Sequence, residues 1–364
     1  MEKAKNKQNK TLQKMLLKKS INLNIKKEIK NITNKTKQYT IPIFIPHRGC
    51  KNECVFCNQK KISGELKVIT PEQVDKLIQE KLAQFDKNSK KIEVAFFGGS
   101  FTGLNIEEQI EYLKVAKKYV DMKKIKSIRI STRPDYITNP ILKILKEYHV
   151  KNIELGVQSM DNDVLNNSKR GHSKEDVIIA SKLIKKFGFQ LGIQIMVGLP
   201  TSTEKIEVET IRQVLELKPK ELRIYPVYVI YPSELYNMYL EKKYIPLEFD
   251  DAVKRTALII KECTKTNVAI IRVGLQSTDE IAKSNKQIRG PVCDNFAEYA
   301  FAKLILEKLD KKIAKLKIIN KNKSDFELQI KCKSRYISLV VGPKKVNKDY
   351  LEKKYNIQIK VKGD

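Results

Sequence analysis

Residues 40–57 read TIPIFIPHRGCKNECVFC, an apolar strand-like segment that runs directly into three closely spaced cysteines. Cys50, Cys54 and Cys57 have the spacing C-x3-C-x2-C. Thiolates are the ligands that iron–sulfur clusters prefer, and a short loop can present three of them to one face of a [4Fe-4S] cube. One iron then has no protein ligand and is open to a substrate, as in catalytic metal sites. The segment therefore predicts an open iron–sulfur site just after the first strand of the fold.

Two other kinds of metal site remain open for the same cysteines. His47 with the three thiols would make a zinc site, although structural zinc usually has paired ligands on two separated knuckles. A cluster that only transfers electrons normally has a fourth cysteine, which Cys263 or Cys293 would have to supply. Three clustered and three scattered cysteines fit a reducing compartment rather than a disulfide scaffold.

The rest of the chain alternates between strand-like and helix-like segments. Each predicted strand is short and apolar on both faces, and an amphipathic helix follows it, as in a parallel sheet covered by helices. The predicted strands are 40–47, 91–97, 127–131, 152–158, 191–197, 221–229 and 268–274, and the helices are 71–85, 106–120, 140–148, 174–187, 203–217 and 250–266. Six or seven such units predict an α/β fold, a partial or full TIM-type barrel, with a doubly wound sheet as the alternative.

Polar residues and glycines fall at the ends of these predicted strands. They are Gly98-Gly99, Arg133, Gln158, Gly198 and Tyr225. Because barrel enzymes build their active sites at the carboxyl ends of the strands, we expect these residues and the cysteine loop to face one site.

The composition adds a strong positive charge. The 364 residues include 72 Lys and Arg against 42 Asp and Glu, a formal net charge of +30. Such a charge favours a polyanionic partner, with RNA or DNA first, although only ten of the basic residues are Arg, a bias also typical of AT-rich coding sequences. No apolar run reaches the ~18 residues of a membrane span, and no signal peptide opens the chain, so we expect a cytoplasmic protein.

Three regions are predicted. Residues 1–38, with twelve Lys and two Glu, form a flexible basic tail; residues 39–290 form the barrel; residues 291–364 form a small basic α+β domain. In the last region we expect a helix over 295–316, strands over 317–319, 326–332 and 336–341, a helix over 347–355 and a strand over 357–361. That region has neither a GXXG loop nor a pair of RNP aromatic residues, so its link to RNA is compositional.

The cysteine motif, with Phe56 before the last cysteine, resembles that of the radical S-adenosylmethionine (SAM) superfamily. The resemblance implies that Cys50, Cys54 and Cys57 hold a [4Fe-4S] cluster whose open iron binds SAM, with Phe56 beside it. It also implies reductive cleavage of SAM to a 5′-deoxyadenosyl radical and a reductant of the flavodoxin or ferredoxin type. Gly98-Gly99-Ser100 is similar to the family's Gly-Gly-Glu motif, which contacts the SAM amino group through its backbone, but a serine replaces the acidic residue.

A narrower resemblance is to the radical SAM domain of the Elongator catalytic-subunit family, which modifies the wobble uridine of tRNA. It rests on STRPD (131–135), ELGVQS (154–159), KRGH (169–172), RIYP (223–226) and LY (235–236), which run in family order. The resemblance implies an RNA substrate, tRNA in particular. Only 74 residues follow Gly290, too few for that family's acetyltransferase domain, so its carboxymethylating reaction is not carried over.

Gln158 and Arg170 are also similar to the SAM-contacting Gln and Arg of oxygen-independent coproporphyrinogen oxidases. Gln194 stands where that family has a ribose-binding Asp, and Ser131 stands where it has a Glu. The resemblance implies SAM contacts for these four residues. A porphyrin or another small molecule is therefore the alternative to RNA as substrate, and a non-catalytic metal protein that binds nucleic acid is the third hypothesis.

Three further residues are candidates for catalysis or substrate binding, and each has a structural alternative. Arg133 is a substrate contact or a structural cap, His172 is a catalytic group or a neighbour of a helix N-terminus, and Tyr225 packs on adenine or belongs to the core.

Overall fold

The computed structural model describes residues 19–22, 39–45, 48–50, 54–58, 69–85, 91–275, 288–319 and 327–363. The chain divides into two compact units. The larger unit is Asn34–Asp294, and the smaller unit combines Met1–Thr33 with Asn295–Asp364. Within the described ranges, no helix is both long and apolar enough to cross a membrane.

The larger unit is built on one sheet of seven parallel strands. They are β2 (Tyr39–Phe44), β3 (Ile92–Phe97), β4 (Ser127–Thr132), β5 (Val150–Gln158), β6 (Gln190–Val197), β7 (Glu221–Pro226) and β9 (Ala269–Val273). They lie side by side in chain order, and among the described residues β9 does not pair with β2. A doubly wound sheet reverses its strand order part-way, so the unbroken order excludes it. The α/β fold with a partial TIM-type barrel is confirmed.

One predicted strand is shorter than expected. β7 ends at Pro226 rather than at residue 229, and β8 (Val229–Ile230) instead pairs antiparallel with β10 (Ile288–Arg289).

Helices follow the strands of this sheet. They are α1 (Pro71–Ala83), α2 (Ile106–Asp121), α3 (Asn139–Glu147), α4 (Asn162–Asn167), α5 (Lys174–Lys186), α6 (Glu204–Glu216), α7 (Glu234–Leu240) and α8 (Phe249–Cys263). The short α4 and α7 are the two that the periodicity does not predict. At α1 the Thr70 hydroxyl accepts from the Gln73 N–H at 3.3 Å, and Gln73 Oε1 accepts from the Thr70 N–H at 2.8 Å. This capping box, with Pro71 in the first turn, begins the helix where the sequence predicts.

The prediction of strands that are apolar on both faces is wrong for one face. Every second residue of the central strands is a fully buried aliphatic side chain, but the alternate residues include charged side chains. Arg129 Nε lies 2.9 Å from Glu93 Oε1, and its Nη1 lies 2.6 Å from Glu221 Oε2. Arg223 Nε donates to Glu154 Oε2 at 2.7 Å. Opposite charges on β3 and β4, on β4 and β7, and on β5 and β7 compensate one another, which allows burial that no single strand's composition reveals.

The smaller unit is an α+β domain. It contains β1 (Lys19–Asn22), α9 (Phe296–Ile319), β11 (Glu327–Cys332), α10 (Ile337–Val341), α11 (Val346–Tyr355) and β12 (Gln358–Gly363). The strand β11 is central, and both β1 and β12 pair with it in parallel.

Three expectations for this unit need correction. Residues 317–319 continue α9 instead of forming a strand, because Lys, Ala and Leu in the preceding turns favour helix. Residues 337–341 form α10, since a short apolar run does not distinguish a strand from a buried helical turn. Lys19–Asn22 form a strand within the region predicted as a tail, because the edge of β11 offers backbone groups that a further strand can pair. The rest of 1–38 lies outside the described residues.

Candidate active site

The cysteine loop follows β2, and it is held against the turn that follows β3. The Ser100 N–H donates to the Arg48 carbonyl at 3.0 Å, and Cys50 Sγ donates to Ser100 Oγ at 3.3 Å. Further along, the Cys57 N–H donates to the Cys54 carbonyl at 2.9 Å. Cys50 is exposed, Cys54 is buried and Cys57 is half-buried. Ser100, for which the resemblance implies no side-chain role, therefore contacts a predicted ligand.

Glycines make this close approach possible. A Cβ atom on Gly99 would lie 2.3 Å from the Arg48 carbonyl oxygen, and one on Gly49 would lie 2.1 Å from the Ser100 carbonyl oxygen. Gly49 has φ +71° and Gly98 has φ +95°, which favour glycine. Any side chain at Gly49 or Gly99 would push the two turns apart, so the structure brings the predicted Gly-Gly turn and the cysteine loop together.

Arg170 links the cysteine loop to the end of β5. Its Nη1 donates to Cys54 Sγ at 3.0 Å, and its Nη2 donates to the Gly156 carbonyl at 2.6 Å. The guanidinium carbon lies 6.0 Å from the centroid of the Phe56 ring, and the side chain is buried. A buried guanidinium that donates to sulfur compensates negative charge on that sulfur and orients it. Arg170 is therefore placed to position Cys54 as well as to meet a ligand.

Gln158 and Gln194 meet on neighbouring strands beside Arg170. Gln194 Nε2 donates to Gln158 Oε1 at 3.2 Å. Gln158 has φ +68° and follows an irregularity in the β5–β6 pairing, a device that re-aims a side chain. A Cβ atom on Gly156 would lie 3.0 Å from Gln158 Nε2 and 3.3 Å from Arg170 Nη2. Gly156 is not among the site residues predicted from the sequence, where its position two residues before Gln158 is the one indication of a role in the site.

Arg133 and His172 are buried, and both interact electrostatically with the groups around Cys54. Arg133 Nε and Nη2 donate to the two carboxylate oxygens of Asp135 at 2.9 and 3.1 Å. Burial lowers the pKa of Arg133, but the Asp135 carboxylate and the Cys54 sulfur raise it, with a net result above its ordinary value. Burial, followed by the charges of Arg170 and Arg133, lowers the pKa of His172 to about 3. The imidazole is therefore neutral at pH 7.

Three buried nitrogen atoms of these residues have no hydrogen-bond partner within the described part of the chain: Arg133 Nη1, Arg170 Nε and His172 Nδ1. Buried polar atoms in folded proteins are almost always paired. His172 Nε2 lies 3.3 Å from the Val157 carbonyl, a contact that requires the proton on Nε2 and leaves Nδ1 as an acceptor. Among the described residues, two cationic donors and one acceptor are thus available to a ligand.

Tyr225, Ser131 and Phe56 lie at the border of this site. Tyr225 Oη accepts from Arg223 Nη1 at 3.3 Å, so it belongs to the polar face of the sheet. Ser131 is half-buried and lies opposite Glu154 in the β4–β5 register. Phe56 is half-buried and packs against the apolar cluster around Val55.

The donor chemistry of the loop fits an iron–sulfur cluster. All six cysteines lie in the described ranges, and none of them is in a disulfide bond. Among the described residues, no group of three or more His, Cys, Asp and Glu side chains is gathered to hold a metal ion. His47 of the zinc alternative lies outside the described residues. Burial raises the pKa of the Cys263 thiol, which disfavours that residue as a thiolate ligand. By its chemistry, a loop with three thiols, one of them bonded to a buried guanidinium, fits a soft metal group with negative charge, although the described side chains are not gathered around one metal position.

Two family models cover most of the larger unit. The one described as the radical SAM superfamily matches residues 44–214, and the one described as the radical SAM C-terminal domain matches residues 219–307. The first match takes in the cysteine loop, Gln158, Arg170 and Gln194. The chain belongs to the radical SAM superfamily.

Within this superfamily the chain is similar to tRNA-modifying proteins. A tRNA uridine(34) acetyltransferase of Methanocaldococcus infernus is 29% identical over 195 residues, 48% of this chain and 36% of that protein. An uncharacterised protein of Methanocaldococcus jannaschii is 32% identical over 228 residues, 59% of this chain and 68% of that protein. The solved structure of M. infernus Elp3 with an N-terminal deletion is similar in fold, with a TM-score of 0.59 and 23% identity over 75% of this chain and 63% of that one. The chain spans about a third of the length of the acetyltransferase that it matches.

Proposed function

We propose that the chain is a radical SAM enzyme that modifies RNA, with tRNA as its substrate. The observation that carries the proposal is the hydrogen bond between Arg170 and Cys54 at 3.0 Å. It joins the cysteine loop to the strand ends that hold Gln158 and Gln194. A metal group on the loop and a ligand on the strand ends are thereby neighbours, at the edge of the sheet where barrel enzymes carry out their chemistry.

Each part of the site has a role in this proposal. The [4Fe-4S] cluster is held by Cys50, Cys54 and Cys57, and SAM is held by Phe56, Gly98, Gly99, Ser131, Gln158, Arg170 and Gln194. When bound, the cluster supplies the electron that cleaves SAM to a 5′-deoxyadenosyl radical. Arg170 orients the Cys54 sulfur, and the paired amides of Gln158 and Gln194 offer donor and acceptor atoms to ribose hydroxyls.

The unpartnered nitrogens support a placement of the amino-acid part of SAM nearest the loop. Arg133 Nη1 and Arg170 Nε are cationic donors, and His172 Nδ1 is a neutral acceptor. A carboxylate next to an ammonium group satisfies both kinds at once, and the amino-acid part of SAM has that pair. We assign Arg133 and His172 to this part, and Tyr225, with its hydroxyl on Arg223, to the substrate side.

RNA as substrate is supported by charge and by the relatives. The net charge is +30, and residues 295–364 alone carry 18 Lys and Arg against 8 Asp and Glu. Cationic surfaces of this kind attract nucleic acids through their phosphates. Relatives named tRNA uridine(34) acetyltransferase are among the proteins to which the chain is similar. The electron donor in the proposal is a flavodoxin or ferredoxin.

Anaerobic reconstitution with iron and sulfide tests the proposal. Iron content, and 5′-deoxyadenosine formed from SAM with a chemical reductant, are measured with and without total tRNA. We expect cleavage of SAM that tRNA stimulates. Absence of both iron and cleavage contradicts a radical SAM enzyme. If tRNA does not change the rate of cleavage and RNA binding does not weaken as the salt concentration rises, RNA is not the substrate. Stimulation of cleavage by a porphyrin would instead support the small-molecule alternative.

A further inference from the structure

The smaller unit carries a turn that the proposed active site does not use. Gly342, Pro343, Lys344 and Lys345, called the GPKK turn, join α10 to α11. Gly342 has φ +78°, Lys344 has φ +52° and Lys345 has φ +65°. Few non-glycine residues adopt a left-handed conformation, so two consecutive lysines in it mark a turn whose shape its surroundings impose.

Contacts on both sides impose that shape. A Cβ atom on Gly342 would lie 2.8 Å from the Asn347 backbone nitrogen. Asn347 is buried, and its Nδ2 donates to the Ala302 carbonyl of α9 at 2.8 Å and to the Leu339 carbonyl of α10 at 3.2 Å. The Lys345 N–H donates back to the Gly342 carbonyl at 2.9 Å. The turn is therefore preorganised against two helices.

The turn presents charge beside an apolar surface. The side chains of Lys344 and Lys345 are exposed. Val346 is 45% exposed and Tyr350 is 47% exposed, and their i, i+4 spacing places them on one face of α11. Lys354, four residues further on, has its Nζ 5.5 Å from the Tyr350 ring centroid. Two ammonium groups followed by an exposed ring form a surface suited to a phosphate chain with bases attached.

We propose that the GPKK turn and the Val346–Tyr350 face bind single-stranded RNA. KH modules clamp the backbone of four nucleotides with a GXXG loop. The GPKK turn has the same length and the same first glycine, and Lys345, at the place of the second glycine, has a left-handed conformation that glycine adopts readily. The sequence contains no GXXG motif because Lys345 stands at the position of the second glycine. The similarity to such a loop is visible in the backbone conformation of the turn. Phosphates lie at Lys344 and Lys345, and a base stacks on Tyr350. The choice of RNA over DNA rests on the proposed function.

Fluorescence anisotropy with a labelled, unstructured oligoribonucleotide, titrated with the full reconstituted chain at several salt concentrations, tests this inference. The variant Lys344→Ser/Lys345→Gly removes both charges and keeps a residue at position 345 that accepts φ +65°. We expect about a tenfold loss of affinity and a salt slope smaller by about 1.4, which is 0.7 for each lost contact to a single-strand phosphate.

The matched control is Lys331→Ser/Lys362→Ser, which removes two exposed lysines that lie opposite one another on β11 and β12 of the same unit, outside the turn and α11. We expect a change of less than about twofold, since these residues lie off the proposed surface. In addition, Tyr350→Ala should weaken binding about tenfold without changing the salt slope, because stacking involves no counterion.

Three results would overturn the inference: equal losses in the turn and control variants, no loss in either, or duplex RNA that binds as tightly as the single strand. Formation of 5′-deoxyadenosine without RNA is measured on the same preparations. Failed cleavage with intact turn-dependent binding contradicts the proposed function alone. Intact cleavage with RNA binding that does not depend on the turn contradicts this inference alone.

Discussion

Arg170 donates to Cys54 Sγ at 3.0 Å, although the two residues are 116 positions apart in the chain. The variant Arg170→Gln removes the cation and leaves all three cysteines in place. We expect it to retain iron but to bind SAM about tenfold more weakly, since a hydrogen bond to a charged group contributes about 1.5–3 kcal/mol. Iron analysis and equilibrium dialysis with labelled SAM measure both. The control is Arg212→Gln on the outer side of α6, and SAM affinity unchanged in Arg170→Gln would remove Arg170 from the site.

We expect the cluster to require the three cysteines of the loop and none of the cysteines outside it. The variant Cys54→Ala should lose both iron and SAM cleavage, because a cluster left with two thiolate ligands is not held. Cys293→Ala, which changes a half-buried cysteine outside the loop, should keep both. Iron and sulfide content after anaerobic reconstitution is the measurement. Loss of iron in Cys293→Ala as well would support the electron-transfer alternative, in which a fourth cysteine is a ligand.

Gly156 is expected to be required for ligand binding more than for stability. A methyl group there would lie 3.0 Å from Gln158 Nε2 and 3.3 Å from Arg170 Nη2, so both side chains must shift. We expect Gly156→Ala to reduce SAM affinity about tenfold with a modest loss of stability. The control Gly188→Ala meets nothing within 4 Å but has φ +84°, so it should cost about 1 kcal/mol of stability and leave SAM binding unchanged. Equal SAM affinity in the two variants would contradict this role of Gly156.

The sequence predicts the barrel because its signals are local. A run of buried aliphatic residues followed by a capped amphipathic helix, such as β3 with α2, is visible within about thirty residues. The interior of the sheet is not local, since Arg129 finds its carboxylates on β3 and β7. In the smaller unit, Lys19–Asn22 pair with β11, which lies near the opposite end of the chain. No local sequence pattern predicts this pairing.

The site is predictable to a similar degree. The cysteines and the Gly-Gly turn are contiguous motifs, so their spacing suffices to find them. Other features of the site depend on how separate strand ends meet. They are the hydrogen bond between Cys50 and Ser100, the hydrogen bond between Arg170 and Cys54, and the position of Gly156. Those relationships require the sheet register, which the sequence alone does not supply.

Because Glu207 is buried, we expect the free energy of unfolding to fall as the pH rises. Its Oε1 accepts from the Gly198 N–H at 2.7 Å and lies 3.6 Å from Arg255 Nη1, yet burial raises the pKa of Glu207 to about 7. Between about pH 4.5 and pH 7 the folded chain binds a proton that the unfolded chain releases. The stabilisation that this bound proton provides is about 3 kcal/mol. It is fully present below pH 4.5 and is lost as the pH rises through 7.

The isosteric variant Glu207→Gln should remove that dependence. The difference in unfolding free energy between the variant and the unchanged chain should grow in favour of the variant by about 3 kcal/mol from pH 4.5 to pH 7.5. Urea denaturation at a series of pH values measures it. Glu204→Gln, three residues earlier on α6 and partly exposed beside Lys254, is the control for the loss of one carboxylate from this helix. A flat difference for Glu207→Gln would show that its folded pKa is ordinary.

Arg129 is expected to be the most costly charge to remove from the barrel. It is 2% exposed and lies beside the buried carboxylates of Glu93 and Glu154 and the half-buried carboxylate of Glu221, so Arg129→Met removes a cation that these carboxylates share. Breaking a buried ion pair from one side typically costs about 3–5 kcal/mol. Arg212→Met also removes one cation but affects an arginine that is 54% exposed, and such surface pairs contribute less than about 1 kcal/mol. Urea denaturation of both variants at pH 7 measures the difference. Similar losses in the two would mean that water already solvates the carboxylates around Arg129, and the polar interior of the sheet would then not be a closed network of ion pairs.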